Sequence, residues 1–197
     1  MKIFVLILCT LLLNIQKSWS EEQAVRFYAR GKLKNASALP WEGPGYVKIF
    51  RLVQRQYATS DMVQLIQELA DDVATKYPNR DRLEIGDIAE KNGGYAPAHL
   101  SHQNGLDADI AYYRVNNKEQ DPNTTNIFAE TFVKKGVVTA NFDVERNWYA
   151  IQKIIKLAKV NRIFVHPRIK QFLCQTYLSK DEEVIRALSL LQPLVGH

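Results

Sequence analysis

Cysteine is almost missing from this chain of 197 residues, with only Cys9 and Cys174 present, so a disulfide framework cannot be what holds it together. Histidine is nearly as scarce, at four residues, which leaves few candidates for any site built on imidazole. After residue 13 no apolar run approaches the roughly 20 residues that a membrane-spanning helix needs. The 26 Lys and Arg outnumber the 21 Asp and Glu only slightly, and they form no basic cluster of the kind that nucleic acid binding shows. Internal repeats, heptads and low-complexity runs are also missing, so the chain is neither a solenoid nor a coiled coil.

What is present begins with a leader. Lys2, an apolar run over 3–13 and the small-x-small end Ser18-Trp19-Ser20 read as a secretory signal peptide cleaved after Ser20. Asn14, Gln16 and Lys17 break the run too early for an anchor, so residues 1–20 leave and the protein is expected to be periplasmic or secreted, without a stable membrane anchor. The remaining 177 residues (197 minus 20) suit one domain, 21–197, with a sizeable core. Loss of Lys2 and Lys17 lowers the net charge from +5 to +3, a mild excess that fits an anionic surface such as a cell-wall polymer. Cys174 is then solitary, and a buried thiol is its expected state; an intermolecular pair or a partner in sequence not present are the alternatives.

Residues 21–57 lack periodicity and contain Pro40, Gly43, Pro44 and Gly45, which predicts an extended arm wrapping the domain. Ser60 opens a helix in which Met62, Leu65, Ile66, Leu69, Ala70, Val73 and Tyr77 recur at helical spacing until Pro78-Asn79. A strand is expected over 82–88, with Leu83, Ile85 and Asp87 alternating against Glu84 and Gly86. A second strand is expected over 106–113, where the period of two puts Asp107 and Asp109 on one face and Leu106, Ala108 and Ile110 on the other. Residues 114–135 are polar and form a surface excursion of the kind that borders substrate grooves. Asp143 caps a helix with Val144, Trp148, Ile151, Ile155 and Ala158 as its buried stripe. A short buried strand over 162–166 precedes a helix opened by Pro167, with Ile169, Phe172, Leu173 and Cys174 inward, and a fourth helix covers 181–191. Strands and helices mix without regular alternation, so the class is α+β.

The chemistry concentrates in 98–110, which holds His99, His102, Asp107 and Asp109. Catalytic zinc commonly takes three protein ligands from His and Asp or Glu and leaves a fourth position for water. His102 and Asp109 are the first candidates, since Gly105 lets the loop bend so that the strand after it presents Asp109 to the same point. His99 joins them only if the backbone between the histidines is turned. Asp107 suits an acceptor that orients a histidine better than a direct ligand. A polar turn entering a strand is the plainer reading of the same residues. His166, before Pro167, reads as structural.

The run Ser101-His102-Gln103-Asn104-Gly105-Leu106-Asp107-Ala108-Asp109-Ile110 resembles the signature of the penicillin-insensitive murein endopeptidases, zinc peptidases of the wider lysostaphin, D-Ala-D-Ala peptidase and hedgehog group. Further similar segments are Leu83-Glu84-Ile85-Gly86-Asp87, Gly93-Gly94-Tyr95, Gly136-Val137-Val138-Thr139 and the stretch from Arg162-Ile163-Phe164-Val165-His166-Pro167 through Cys174, in order over nearly the whole mature chain. The resemblance implies an α+β fold with a central antiparallel sheet flanked by helices, His102 and Asp109 as zinc ligands, and His99 matching a site histidine. It implies hydrolysis of the peptide cross-links of peptidoglycan by water activated on Zn2+, with a histidine as base.

In that family a His-x-His element, carrying the base and a third ligand, follows a segment similar to Leu191-Gln192-Pro193-Leu194-Val195-Gly196-His197, so the base is expected beyond His197. His197 itself could donate to the metal, though a last residue is a poor ligand. The resemblance implies a second metal position contributed from the loop before Gly136, but that loop holds Val133, Lys134 and Lys135 and no histidine, so a single metal is expected. The alternatives are a C-terminally incomplete, inactive relative that binds wall peptide without cutting it, and a D-Ala-D-Ala carboxypeptidase.

Overall fold

The computed structural model describes residues 23–97, 99–125 and 127–193. The expected leader, 1–20, and Cys9 lie outside them, as does His197. No described helix is long and apolar enough to cross a membrane.

Residues 21–57 are more than a wrapping arm. They supply β1 (Gln23–Val25), β2 (Lys32–Lys34), β3 (Ser37–Ala38), β4 (Glu42–Gly43) and β5 (Tyr46–Lys48), and β6 (Tyr57–Ala58) follows. Leu33, Leu39, Tyr46, Val47, Ile49 and Phe50 are all buried, so this segment contributes to the core. The apolar residues are too irregularly spaced to show a period, yet each short strand pairs: β1 with β2, β3 with β6, and β4 with β5, all antiparallel.

Helix α1 (Ser60–Lys76) begins where the Thr59 hydroxyl accepts the Met62 N–H and buries Ile66, Leu69, Ala70 and Val73. It returns the chain to β7 (Leu83–Ile85), which pairs in parallel with β5 in the register Tyr46 to Leu83, Val47 to Glu84 and Lys48 to Ile85. A helical crossover between neighbouring strands makes them parallel, so the core sheet β4-β5-β7 is mixed, where an all-antiparallel sheet was expected. The expected alternation along β7 also fails: Leu83, Glu84 and Ile85 are all buried. Glu84 is carried inside by Arg114, whose guanidinium meets both carboxylate oxygens at 2.8 and 3.0 Å.

The segment 106–113 runs antiparallel beside β7 through the bridge between Ile85 and Ile110, but it is not a full strand. Its partner runs out at Leu83, whose N–H goes back to Gly45 O. Tyr113 is paired instead by a side chain: the Asn147 amide accepts its N–H at 2.9 Å and donates to its carbonyl at 3.0 Å.

Beyond the small hairpin β8 (Val133–Lys134) and β9 (Val137–Val138), the chain enters α2 (Val144–Leu157), capped as expected by Asp143, whose carboxylate accepts the Arg146 N–H. Trp148, Ile151 and Ile155 form the buried stripe, joined by Arg146 and Asn147. Then come β10 (Ile163–Val165), α3 (Pro167–Thr176), α4 (Glu182–Leu190) and β11 (Leu191–Pro193). The strand β11, directly after the fourth helix, pairs in parallel with β10. The strand β10 is less buried than expected, since Phe164 is exposed. On α3, Ile169 and Leu173 are buried while Cys174 is a partly exposed free thiol, not a buried one. One buried cluster gathers around α1 and β7 and another around α2 and α3, and Ile154 packs against both.

Across this seam the Asp72 carboxylate of α1 takes the Lys153 ammonium and the Tyr149 hydroxyl of α2. Burial opposes the Asp72 charge, but these two donors outweigh it and hold the carboxyl below its ordinary value of 3.8. A folded pKa below the unfolded one stabilises the fold above that ordinary value and is lost as pH falls through the lowered one. Lys153→Met should therefore flatten the fall in thermal midpoint between about pH 4 and more acid solution, read by calorimetry across pH.

Candidate metal centre

His102 is held in the left-handed region at φ 64°, a conformation that histidine tolerates better than most residues. The turn aims its ring inward, where Nδ1 lies 2.8 Å from Ile88 O. A carbonyl can only accept, so Nδ1 carries the proton and the Nε2 lone pair faces the other way. There it meets Asp109 Oδ1 at 3.2 Å. Burial opposes protonation of His102, and the Asp109 carboxylate outweighs it, leaving the ring more basic than usual.

His99 reaches the same point from three residues earlier because the backbone between the histidines is turned, and the two rings meet edge to face at 4.7 Å. One ligand atom each from His99, His102 and Asp109 lie within 4.8 Å of one another. Burial, then the neighbouring His102, push the His99 pKa down, which favours the neutral imidazole that ligates metals. Its Nε2 is buried, stands 3.1 Å from Asp87 Oδ2, and makes no hydrogen bond among the described residues. Two imidazoles and a carboxylate, one imidazole nitrogen lacking a hydrogen-bond partner and the other ring pinned by a carbonyl behind it, form a donor set that fits a zinc ion with an open position.

Asp107 is no part of the three-residue cluster, and its half-buried carboxylate interacts electrostatically with His102 and Asp109. Burial raises its pKa, and its Oδ2 has no described hydrogen-bond partner. His166 stands apart from the cluster and is exposed; its Nδ1 caps α3 by accepting the Arg168 N–H at 3.1 Å.

Three residues behind the cluster escape a reading of residue types. Asp87 is completely buried and bonded to Arg55 at 2.8 Å, which also reaches Glu90. Lys48, equally buried, donates to Ile49 O. Burial drives the Lys48 pKa down to about 8 against the pull of Asp87 and Asp109. The only sequence sign of them is a charged residue inside an apolar run, as in Tyr46-Val47-Lys48-Ile49-Phe50.

Two glycines allow the close approach. A Cβ on Gly86 would stand 3.0 Å from that of Asp109. Gly93, at φ 63°, would place one 2.1 Å from Gln103 O and 2.5 Å from Leu33 N, between the metal loop and β2. Left-handed strain and overpacking together put Gly93→Ala at about 2–4 kcal/mol of lost stability, measurable by urea denaturation.

A family model described as penicillin-insensitive murein endopeptidase matches residues 24–197. Proteins of that name are similar over most of the chain. The one from Klebsiella pneumoniae subsp. pneumoniae is 35% identical over 163 residues, 77% of this chain and 56% of the relative. That from Haemophilus influenzae is 36% identical over 155 residues, 76% of this chain and 52% of the relative. That from Escherichia coli O157:H7 is 32% identical over 163 residues, with shares of 77% and 56%. The chain thus spans about half the length of the curated relatives it matches.

Proposed function

Because the chain belongs to the penicillin-insensitive murein endopeptidase family, we propose that it is a zinc-dependent endopeptidase that hydrolyses the peptide cross-links of peptidoglycan outside the cytoplasm. The observation that carries this reading is the convergence of His99, His102 and Asp109. The leader over residues 1–20 supports export, and the relatives' names supply the class of substrate.

A single zinc ion bound there would supply a Lewis acid that polarises a peptide carbonyl and makes water a better nucleophile. The chain's part is to hold and aim. His102 and Asp109 are the proposed ligands, with His99 as the third. The Ile88 carbonyl fixes which His102 nitrogen is free, the Asp107 carboxylate acts electrostatically on His102, and Asp87, paired with Arg55, stands 3.1 Å from His99 Nε2. Such supporting contacts tune a ligand's basicity and direction. Asp109 is the most open of the three, its side chain about one-third exposed at 34%, which sets the approach of substrate on its side. No described residue is assigned as general base.

Incubation with cross-linked muropeptides tests the proposal. The expected result is conversion of dimers to monomers with one water gained, abolished by a chelator and restored by zinc. Intact dimers after incubation of the zinc-loaded chain would overturn it, and loss of terminal D-Ala alone would assign a carboxypeptidase.

A further inference from the structure

The segment 106–113 has hydrogen-bonding groups on two edges and uses one of them. Towards β7, the Asp109 N–H donates to Asp87 O at 2.9 Å, Gly86 N–H to Asp109 O at 2.8 Å, and Ala111 N–H to Glu84 O at 2.9 Å. Main-chain groups of successive extended residues point to opposite edges, so Ile110 and Tyr112 direct theirs away from β7. Among the described residues no backbone bond reaches them. Beside that edge lies a cavity of about 290 Å³, lined by Ile110, Ala111 and Tyr112 and faced by Phe128, Thr131 and Phe132. The open edge therefore starts one residue from Asp109.

We propose that Ile110 and Tyr112 are the docking edge for the substrate peptide, which lies extended in this cavity and pairs with their main-chain groups, so that its scissile amide falls beside Asp109. The proposal rests on the murein endopeptidase reading and adds how the peptide is held. An unpaired edge invites any passing strand, but this one is short and set inside a cavity, which admits a single narrow chain more readily than the sheet of another folded protein. Strand addition draws affinity from main-chain bonds and leaves side-chain choice to flanking pockets. It therefore suits a substrate recognised as a peptide, and Phe128 and Phe132 give the groove an apolar wall.

Residue-resolved amide exchange by NMR on the full chain tests this, using a muropeptide dimer whose cross-linking amide is replaced by a non-cleavable methylene-amine. Binding should slow exchange of the Ile110 and Tyr112 amides by about tenfold or more, while Asp109 and Ala111, already bonded, change little. A dimer N-methylated at a stem amide next to the cross-link should bind about tenfold more weakly, the worth of one or two hydrogen bonds. Binding of the dimer with no change at Ile110 and Tyr112 would overturn the docking edge and leave the endopeptidase reading standing. Failure of the dimer to bind at all would overturn that reading and the docking edge with it.

Discussion

Replacing His102 by alanine is expected to lower zinc affinity by more than about 100-fold, read by competition with a chromophoric chelator. Loss of a supporting contact alone costs about 10–100-fold, and a lost ligand takes away the bond itself. His102→Ala also strands the Ile88 carbonyl, at roughly 1–3 kcal/mol of stability, so a second variant is needed. Asp109→Asn keeps the shape and sits at a partly open position. It should lose zinc to a similar degree with its thermal midpoint little changed. If both variants hold zinc like the parent chain, the centre proposed at His99, His102 and Asp109 is wrong.

Replacing Arg146 by methionine should destabilise the protein by about 3–5 kcal/mol, the usual result of removing one partner of a buried ion pair. Arg146 is almost wholly buried at 1% exposure and ion-pairs with the equally buried Asp81. It also donates to the Arg114 carbonyl at 2.8 Å and lies 4.2 Å from the Tyr113 ring. Methionine fills the space but leaves the Asp81 charge uncompensated. In a domain of this size the loss corresponds to a fall in thermal midpoint of roughly 10 °C. Arg146→Met with Asp81→Asn should recover most of it, because the stranded charge is then gone. Equal midpoints for single and double variants would show that the guanidinium matters for its packing and carbonyl bonds alone.

Local signals were readable and long-range ones were not. Helix starts at Asp143, Asp181 and Pro167 are set by residues within one turn, so caps betray them. The α+β class followed from the mixture of such elements. The pairing of His102 with Asp109 spans a single glycine bend, and alternation placed Asp107 and Asp109 together. Lys48 and Arg55 stayed invisible, and Asp87 was read only as part of a strand, because long-range packing such as the parallel pairing of β5 with β7 decides their neighbourhood. In sequence a charged residue reads as solvated until its partner is known. Alternation set Glu84 apart from Leu83 and Ile85 for the same reason, since Arg114, thirty positions later, is what makes its burial tolerable. The parallel β10–β11 pair was missed because Leu191-Gln192-Pro193 is too short to show a period.

The three proposed ligands occupy only eleven consecutive positions, 99–109, and this has a thermodynamic consequence. A site gathered from distant parts of a chain disperses on unfolding, but His99, His102 and Asp109 remain neighbours in the denatured chain. Zinc therefore keeps an affinity for unfolded protein, and any binding to that state subtracts from ligand-induced stabilisation. Saturating zinc should raise the unfolding temperature by less than its affinity for the folded protein implies. The stabilisation that remains measures what Ile88, Asp87 and the left-handed turn at His102 add beyond the ligands themselves.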